Sequence, residues 1–119
     1  MLRGFLTSVA CACAAVCIVA AASAKSPYPL NLAVAVKQAY APLSVLVNST
    51  CKKTIQTNNY ALVSVQIKPS GRASTIALQF ISTAGWFAFW RDGKTLKGVP
   101  ASQKPSVLKT AAQLQKLCA

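Results

Sequence analysis

The chain has no histidine and no glutamate, and Asp92 is its single acidic residue. These absences exclude most enzyme chemistry. General acid–base catalysis draws on His, Glu or Asp with a tuned pKa, and a serine–histidine triad needs the imidazole. Glycoside hydrolysis needs two carboxyl groups flanking one bond. The only carboxylate falls in Asp92-Gly93, where a hairpin needs a turn former. Ser102-Gln103-Lys104 has no catalytic signature, and no glycine-rich phosphate loop follows any strand. A metal ion would find two thiols and one carboxylate outside the leader, too few for a closed site. The sequence therefore predicts no catalytic residue, no cofactor and no metal ligand set, in a protein that is not an enzyme.

Against that poverty of acids stand 13 Lys and Arg residues. The first 24 residues have the form of a secretory leader. Arg3 supplies a positive start, Gly4 to Ala21 is an uncharged apolar run, and Ala22-Ser23-Ala24 offers the small residues a signal peptidase requires. Cleavage is expected before Lys25, leaving one domain over 25–119, secreted or periplasmic. An uncleaved anchor would use the same run, since about 18 apolar residues can just span a bilayer. Removing Arg3 leaves twelve basic residues against Asp92, a net charge of +11. Lysines with so few acids to pair with favour polyanions, and the partner classes this implies are an anionic polymer, a membrane surface or an acidic protein.

Three of the five cysteines lie in the leader, which leaves Cys51 and Cys118. Two cysteines in a small exported domain predict one disulfide. It closes a loop of about 67 residues and, in the chain-entropy model, stabilises by roughly 4 kcal/mol. Asn48-Ser49-Thr50 matches an N-glycosylation acceptor, used only if the chain passes through a glycosylating secretory route.

Short β-branched and aromatic runs separated by turn formers predict an antiparallel meander over 43–52, 60–68, 73–82, 86–91 and 94–99. Asp92-Gly93 suits a type I′ hairpin, and Pro69-Ser70-Gly71 makes another turn. Ala61, Val63, Val65 and Ile67, with Ile76, Leu78 and Phe80, form the expected core face, and Ser64, Gln66, Lys68 and Gln79 the other. Thr54 to Asn59 is polar and reads as a loop. Leu30 to Ala41 fits alternation or a helical stripe behind an Asn31 cap; its alanines and Lys37-Gln38 favour the helix, ended by Pro42. Val107, Ala111, Leu114 and Cys118 recur at helical spacing behind Pro105, so a C-terminal helix ends on the disulfide. The expected fold is α+β: a meander of four to five strands packed against that helix.

One constellation carries a functional expectation. On a regular strand Trp86, Ala88 and Trp90 share a face, and Phe87 and Phe89 share the other. The two-residue turn sets Arg91 opposite Lys94, Trp90 opposite Thr95, Phe89 opposite Leu96 and Ala88 opposite Lys97. Aromatics beside cations suit sugars, single strands or lipid head groups. The candidate binding residues are thus Lys52, Lys53, Trp86, Trp90, Arg91, Lys94 and Lys97. The competing reading packs both tryptophans under the N-terminal segment. The function expected is a non-catalytic exported module that engages an anionic polymer or envelope surface; a specific protein partner is the alternative.

Overall fold

The computed structural model describes residues 28–119. The leader expected over 1–24 and its cleavage before Lys25 lie outside them. Five strands form one antiparallel sheet in chain order: β1 (Ser44–Ile55), β2 (Asn58–Lys68), β3 (Arg72–Ile81), β4 (Gly85–Arg91) and β5 (Lys94–Thr95). Helix α1 (Leu32–Tyr40) precedes the sheet and α2 (Lys104–Leu117) follows it. Asn31 caps α1, its side chain accepting from the Val34 amide at 3.2 Å. The α+β meander and both helices agree with the sequence reading.

The two helices cover opposite faces, so the sheet is buried on both sides rather than one. Under α1 lie Val63, Val65, Ile67, Ile76, Leu78 and Trp86, with Val36 and Tyr40 of the helix. Under α2 lie Tyr60, Ala77, Phe87, Phe89 and Trp90, with Val107, Ala111 and Leu114 of the helix. Burial of Val107 and Leu114 alone is worth roughly 1.5–3 kcal/mol each, and both are fully enclosed. Gln79, expected on a solvent face, is buried beneath this second layer.

The Cys51–Cys118 disulfide is formed, with the Cα atoms 6.0 Å apart. Cys51 pairs with Leu62, which packs against the α2-side core, so the bridge ties the last turn of α2 down onto the sheet.

Two expectations are corrected. Residues 54–59 are not a loop: β1 and β2 run on until Ile55 pairs with Asn58. Gln56 and Thr57 make the turn with φ of 50° and 68°, a left-handed pair carried by non-glycine residues. Because such turns are usually marked by Asn or Gly, the polar run concealed it. At the other edge β5 is only two residues, not 94–99, because Gly98 adopts a φ of 95° and the chain turns away.

The third correction concerns β4. Leu78 pairs with Ala88, but Ala77 pairs with Trp90, which leaves Phe89 as the extra residue of a β-bulge. Beyond the bulge the alternation is inverted. Trp86 therefore faces α1 while Trp90 joins Phe87 and Phe89 beneath α2. Leu96, expected beside Phe87 and Phe89, packs on the α1 side instead.

The chain enters the fold along the start of β4. The Tyr28 amide donates to the Ala84 carbonyl at 2.9 Å, and the Trp86 amide donates to the Pro29 carbonyl at 2.8 Å. The Tyr28 ring rests on Phe87 with centroids 5.1 Å apart. Gly85 sits where the strap crosses, with φ of +101° and Tyr28 and Pro29 backbone oxygens directly over it. Only a residue lacking Cβ fits there.

Candidate functional site: a cationic cleft on the α1 side of the sheet

Register builds the site. Thr54 pairs with Asn59, Asn59 with Phe80, and Phe80 with Trp86, one row across four strands. Paired residues in antiparallel strands stand on the same face, and Phe80 and Trp86 both belong to the α1-side core. One step along β1, Lys52 pairs with Ala61 and so rises from the same face. These residues line a cleft of about 450 Å³.

The floor of the cleft is aromatic. Phe80 and Trp86 are tilted against each other with centroids 5.2 Å apart, and Lys52 Nζ stands 6.0 Å from the centre of a Trp86 ring. Trp86 is 9 % exposed, so it offers an edge rather than an open stacking face. Thr54 Oγ1 donates to Asn59 Oδ1 at 3.0 Å. That bond orients the Asn59 amide and leaves its two N–H donors for a ligand. The cleft thus combines the Lys52 cation, an oriented amide and an aromatic base.

The remaining candidates do not gather there. Lys53 pairs with Tyr60, whose ring lies in the α2-side core, so its side chain leaves the opposite face, although it also borders the cleft at the β1 edge. Trp90 is 6 % exposed and belongs to the α2-side core. Arg91 pairs with Ile76 and Lys94 with Arg91, which puts both on the α1 side. They lie across the sheet from Lys52, Arg91 three strand spacings or roughly 15 Å away and Lys94 four, or roughly 19 Å. Lys97 is exposed in the segment after β5. Sequence reasoning missed Thr54, Asn59 and Phe80, since a row across four strands is visible only once the Gln56-Thr57 turn sets the register.

Arg91 and Asp92 serve a second cluster, around Tyr40. Ser74 Oγ donates to Asp92 Oδ2 at 2.5 Å, and the Thr75 amide donates to Asp92 Oδ1 at 2.9 Å. With the Ser74 proton committed, the Tyr40 hydroxyl donates to Ser74 Oγ at 2.7 Å. Arg91 donates through Nη1 to the Ala39 carbonyl at 2.9 Å, and its guanidinium lies 4.9 Å from the centre of the Tyr40 ring. Burial pushes the Tyr40 phenol above its usual 10.0, and the Asp92 carboxylate adds to that; the Ser74 hydrogen bond and the Arg91 and Arg72 charges work against it. A hollow of about 190 Å³ adjoins the cluster. These groups bind α1, β3 and the β4–β5 turn to one another, and they occupy both oxygens of the only side-chain carboxylate.

Asn48 is exposed and unpaired where the β1–β2 register shifts between Val47 and Ser49. Among the described residues no group of three or more His, Cys, Asp or Glu is positioned to hold a metal ion. No protein-family model matches the chain, and no curated protein or solved structure is similar to it.

Proposed function

We propose that the protein is an exported, non-catalytic module that binds an anionic polymer or envelope surface, with Lys52 and the cleft beside it as the anchoring point. The observation that carries this reading is the pairing of charges. Asp92 is the sole acidic side chain and is consumed by Ser74 and Thr75, while Lys52 stands over an aromatic floor beside oriented amide donors. Arg91 and Lys94 add positive potential to the same side of the sheet. The disulfide accords with an oxidising compartment, secreted or periplasmic.

Affinity for a soluble polyanion such as dextran sulfate, measured over a range of salt, tests this. Binding should fall steeply with salt, because each contact releases counterions. Lys52→Gln should lower affinity and flatten that slope, and Asn59→Ala should lower affinity while leaving the slope unchanged. If neither change alters binding, the cleft is not the site.

A protein partner is the second reading, favoured by β1. It is a 12-residue outer strand with Leu46 half exposed on it, and such an edge can accept a further strand. Binding through a packed protein interface should weaken less with salt than binding to a polyanion.

A further inference from the structure

Two arginines flank Ser74 on the sheet. Along β3, Arg72, Ser74 and Ile76 alternate onto one face, and Arg91 pairs with Ile76 from β4. Ile76 lies in the core beneath α1, so both arginines stand on the α1 side, with Ser74 between them. Both line the hollow of about 190 Å³ beside Tyr40. Burial raises the Tyr40 phenol, and the Arg91 and Arg72 charges act against that rise, which sets both cations in the neighbourhood of its hydroxyl.

Three features fit the hollow to an anion with a small organic body. First, Arg91 is held in place before any ligand arrives. One N–H donates to the Ala39 carbonyl at 2.9 Å, and the guanidinium lies 4.9 Å from the centre of the Tyr40 ring. Binding therefore orders little that is not already ordered, and the other N–H groups of its planar fork match phosphate geometry. Second, charge favours an anion. Arg72 is exposed and brings a second fork, whereas the one acid lining the hollow, Asp92, has both oxygens accepting from Ser74 and Thr75. Two cations against one carboxylate leave the hollow positive. A carboxylate ligand offers two oxygens to these forks; a phosphate offers more. Third, the remaining walls are largely carbon, with Pro42, Leu43 and Ile67 among them, and Leu43 is 50 % exposed. Inorganic phosphate would leave that carbon in water, and an ester would cover it. The volume lies below the roughly 300–1,000 Å³ of sites for drug-sized ligands, so the organic part is short. We infer that this hollow binds a phosphate ester, its oxygens on Arg72 and Arg91 and its carbon chain against Pro42 and Leu43. The site is distinct from the Lys52 cleft and does not depend on the cleft's ligand.

Isothermal titration calorimetry at low salt with glycerol phosphate, inorganic phosphate and acetate provides the test. Glycerol phosphate should saturate one site, bind more tightly than inorganic phosphate, and bind about tenfold or more tightly than acetate. Arg72→Gln should weaken it by about tenfold, with an unchanged thermal melt, since Arg72 is exposed. Arg91→Lys keeps the charge but not the fork and should weaken binding as well. Lys109→Gln removes one charge from α2, on the opposite face, and should bind glycerol phosphate like the parent. So should Lys52→Gln. The inference is overturned if glycerol phosphate fails to saturate, if inorganic phosphate or acetate binds as tightly, or if Arg72→Gln binds like the parent. Equal weakening by Lys109→Gln would mean attraction to net charge alone, and weakening by Lys52→Gln would put the anion in the cleft; either result also overturns it. The cleft is judged on dextran sulfate with Lys52→Gln and Asn59→Ala, so the two proposals fail separately.

Discussion

Ser74, in the middle of the meander, donates its hydroxyl proton to Asp92 at the tip of the β4–β5 hairpin, Oγ to Oδ2 at 2.5 Å. Asp92 also adopts a φ of 48° in the turn. The residue that seemed a simple turn former is thus a tether: its carboxylate holds the hairpin against β3 and, through Ser74, reaches Tyr40 at the end of α1. This arrangement gives Asp92 a structural role, joining the hairpin to β3.

Asp92→Ala should therefore destabilise the fold by about 2–3 kcal/mol, because two charge-assisted hydrogen bonds vanish and a buried hydroxyl loses its acceptor. Asp92→Asn keeps the turn and one acceptor and should cost about 1 kcal/mol. Urea titration of the two variants checks the order. Equal losses would mean that the turn conformation, not the carboxylate, carries the effect.

Tyr40 makes stability depend on alkaline pH. Its folded pKa is raised above 10.0 by burial, and the side chain is 2 % exposed. The unfolded chain then loses the phenolic proton first. The associated stability is fully present below pH 10 and is lost as pH rises from there toward the folded value. Tyr40→Phe should flatten this alkaline decline while costing about 1 kcal/mol at neutral pH for the lost hydroxyl bond. Denaturant midpoints at about pH 8 and about pH 10.5 separate the two effects. An equally steep decline in the variant would assign it to the lysines.

Gly85→Ala should be among the most damaging small substitutions. The added Cβ would lie 2.4 Å from the Tyr28 carbonyl oxygen and 2.7 Å from that of Pro29, at a φ of +101°. Relief requires the Tyr28–Pro29 strap to leave β4, exposing Phe87. A loss of about 3 kcal/mol or more is expected, from backbone strain together with the broken strap. Thermal unfolding measures it, and hydrogen exchange at Trp86 should rise as its bond to Pro29 breaks. Gly93→Ala makes the control, since nothing lies within 4 Å of its Cβ position and only its positive φ opposes the change.

Trp90→Ala should lower stability by about 3–5 kcal/mol and leave polyanion affinity unchanged in the protein that remains folded. Trp90 lies with Phe89 beneath α2, on the face away from the cleft. Should the variant melt like the parent but bind more weakly, the bulge placement would be wrong.

Much of this was legible in the residues. The meander, its Asp92-Gly93 turn, the terminal helix and its disulfide follow from local signals: alternation, turn chemistry, helical spacing, and two cysteines beyond the apolar N-terminal run. Each of these acts over a few residues or by elimination, so a linear reading suffices. The near absence of acids and of histidine is likewise plain from composition alone.

What only the tertiary structure decided was which face each side chain takes, and therefore what the site is. The Phe89 bulge adds one residue to β4, and with a side-chain period of two it sends Trp90 to the opposite side from Trp86. No local signal in Trp86-Phe87-Ala88-Phe89-Trp90 marks the bulge; it is set by how β4 meets β3 while both layers fill. The Gln56-Thr57 turn is similar, a left-handed pair formed because the long strands on either side continue pairing up to it. Together these two events align Thr54, Asn59, Phe80 and Trp86 in one row beside Lys52. Composition determined that this protein is strongly basic, with a single acidic residue; strand register, a sum of long-range packing choices, decided where its cations and aromatics meet.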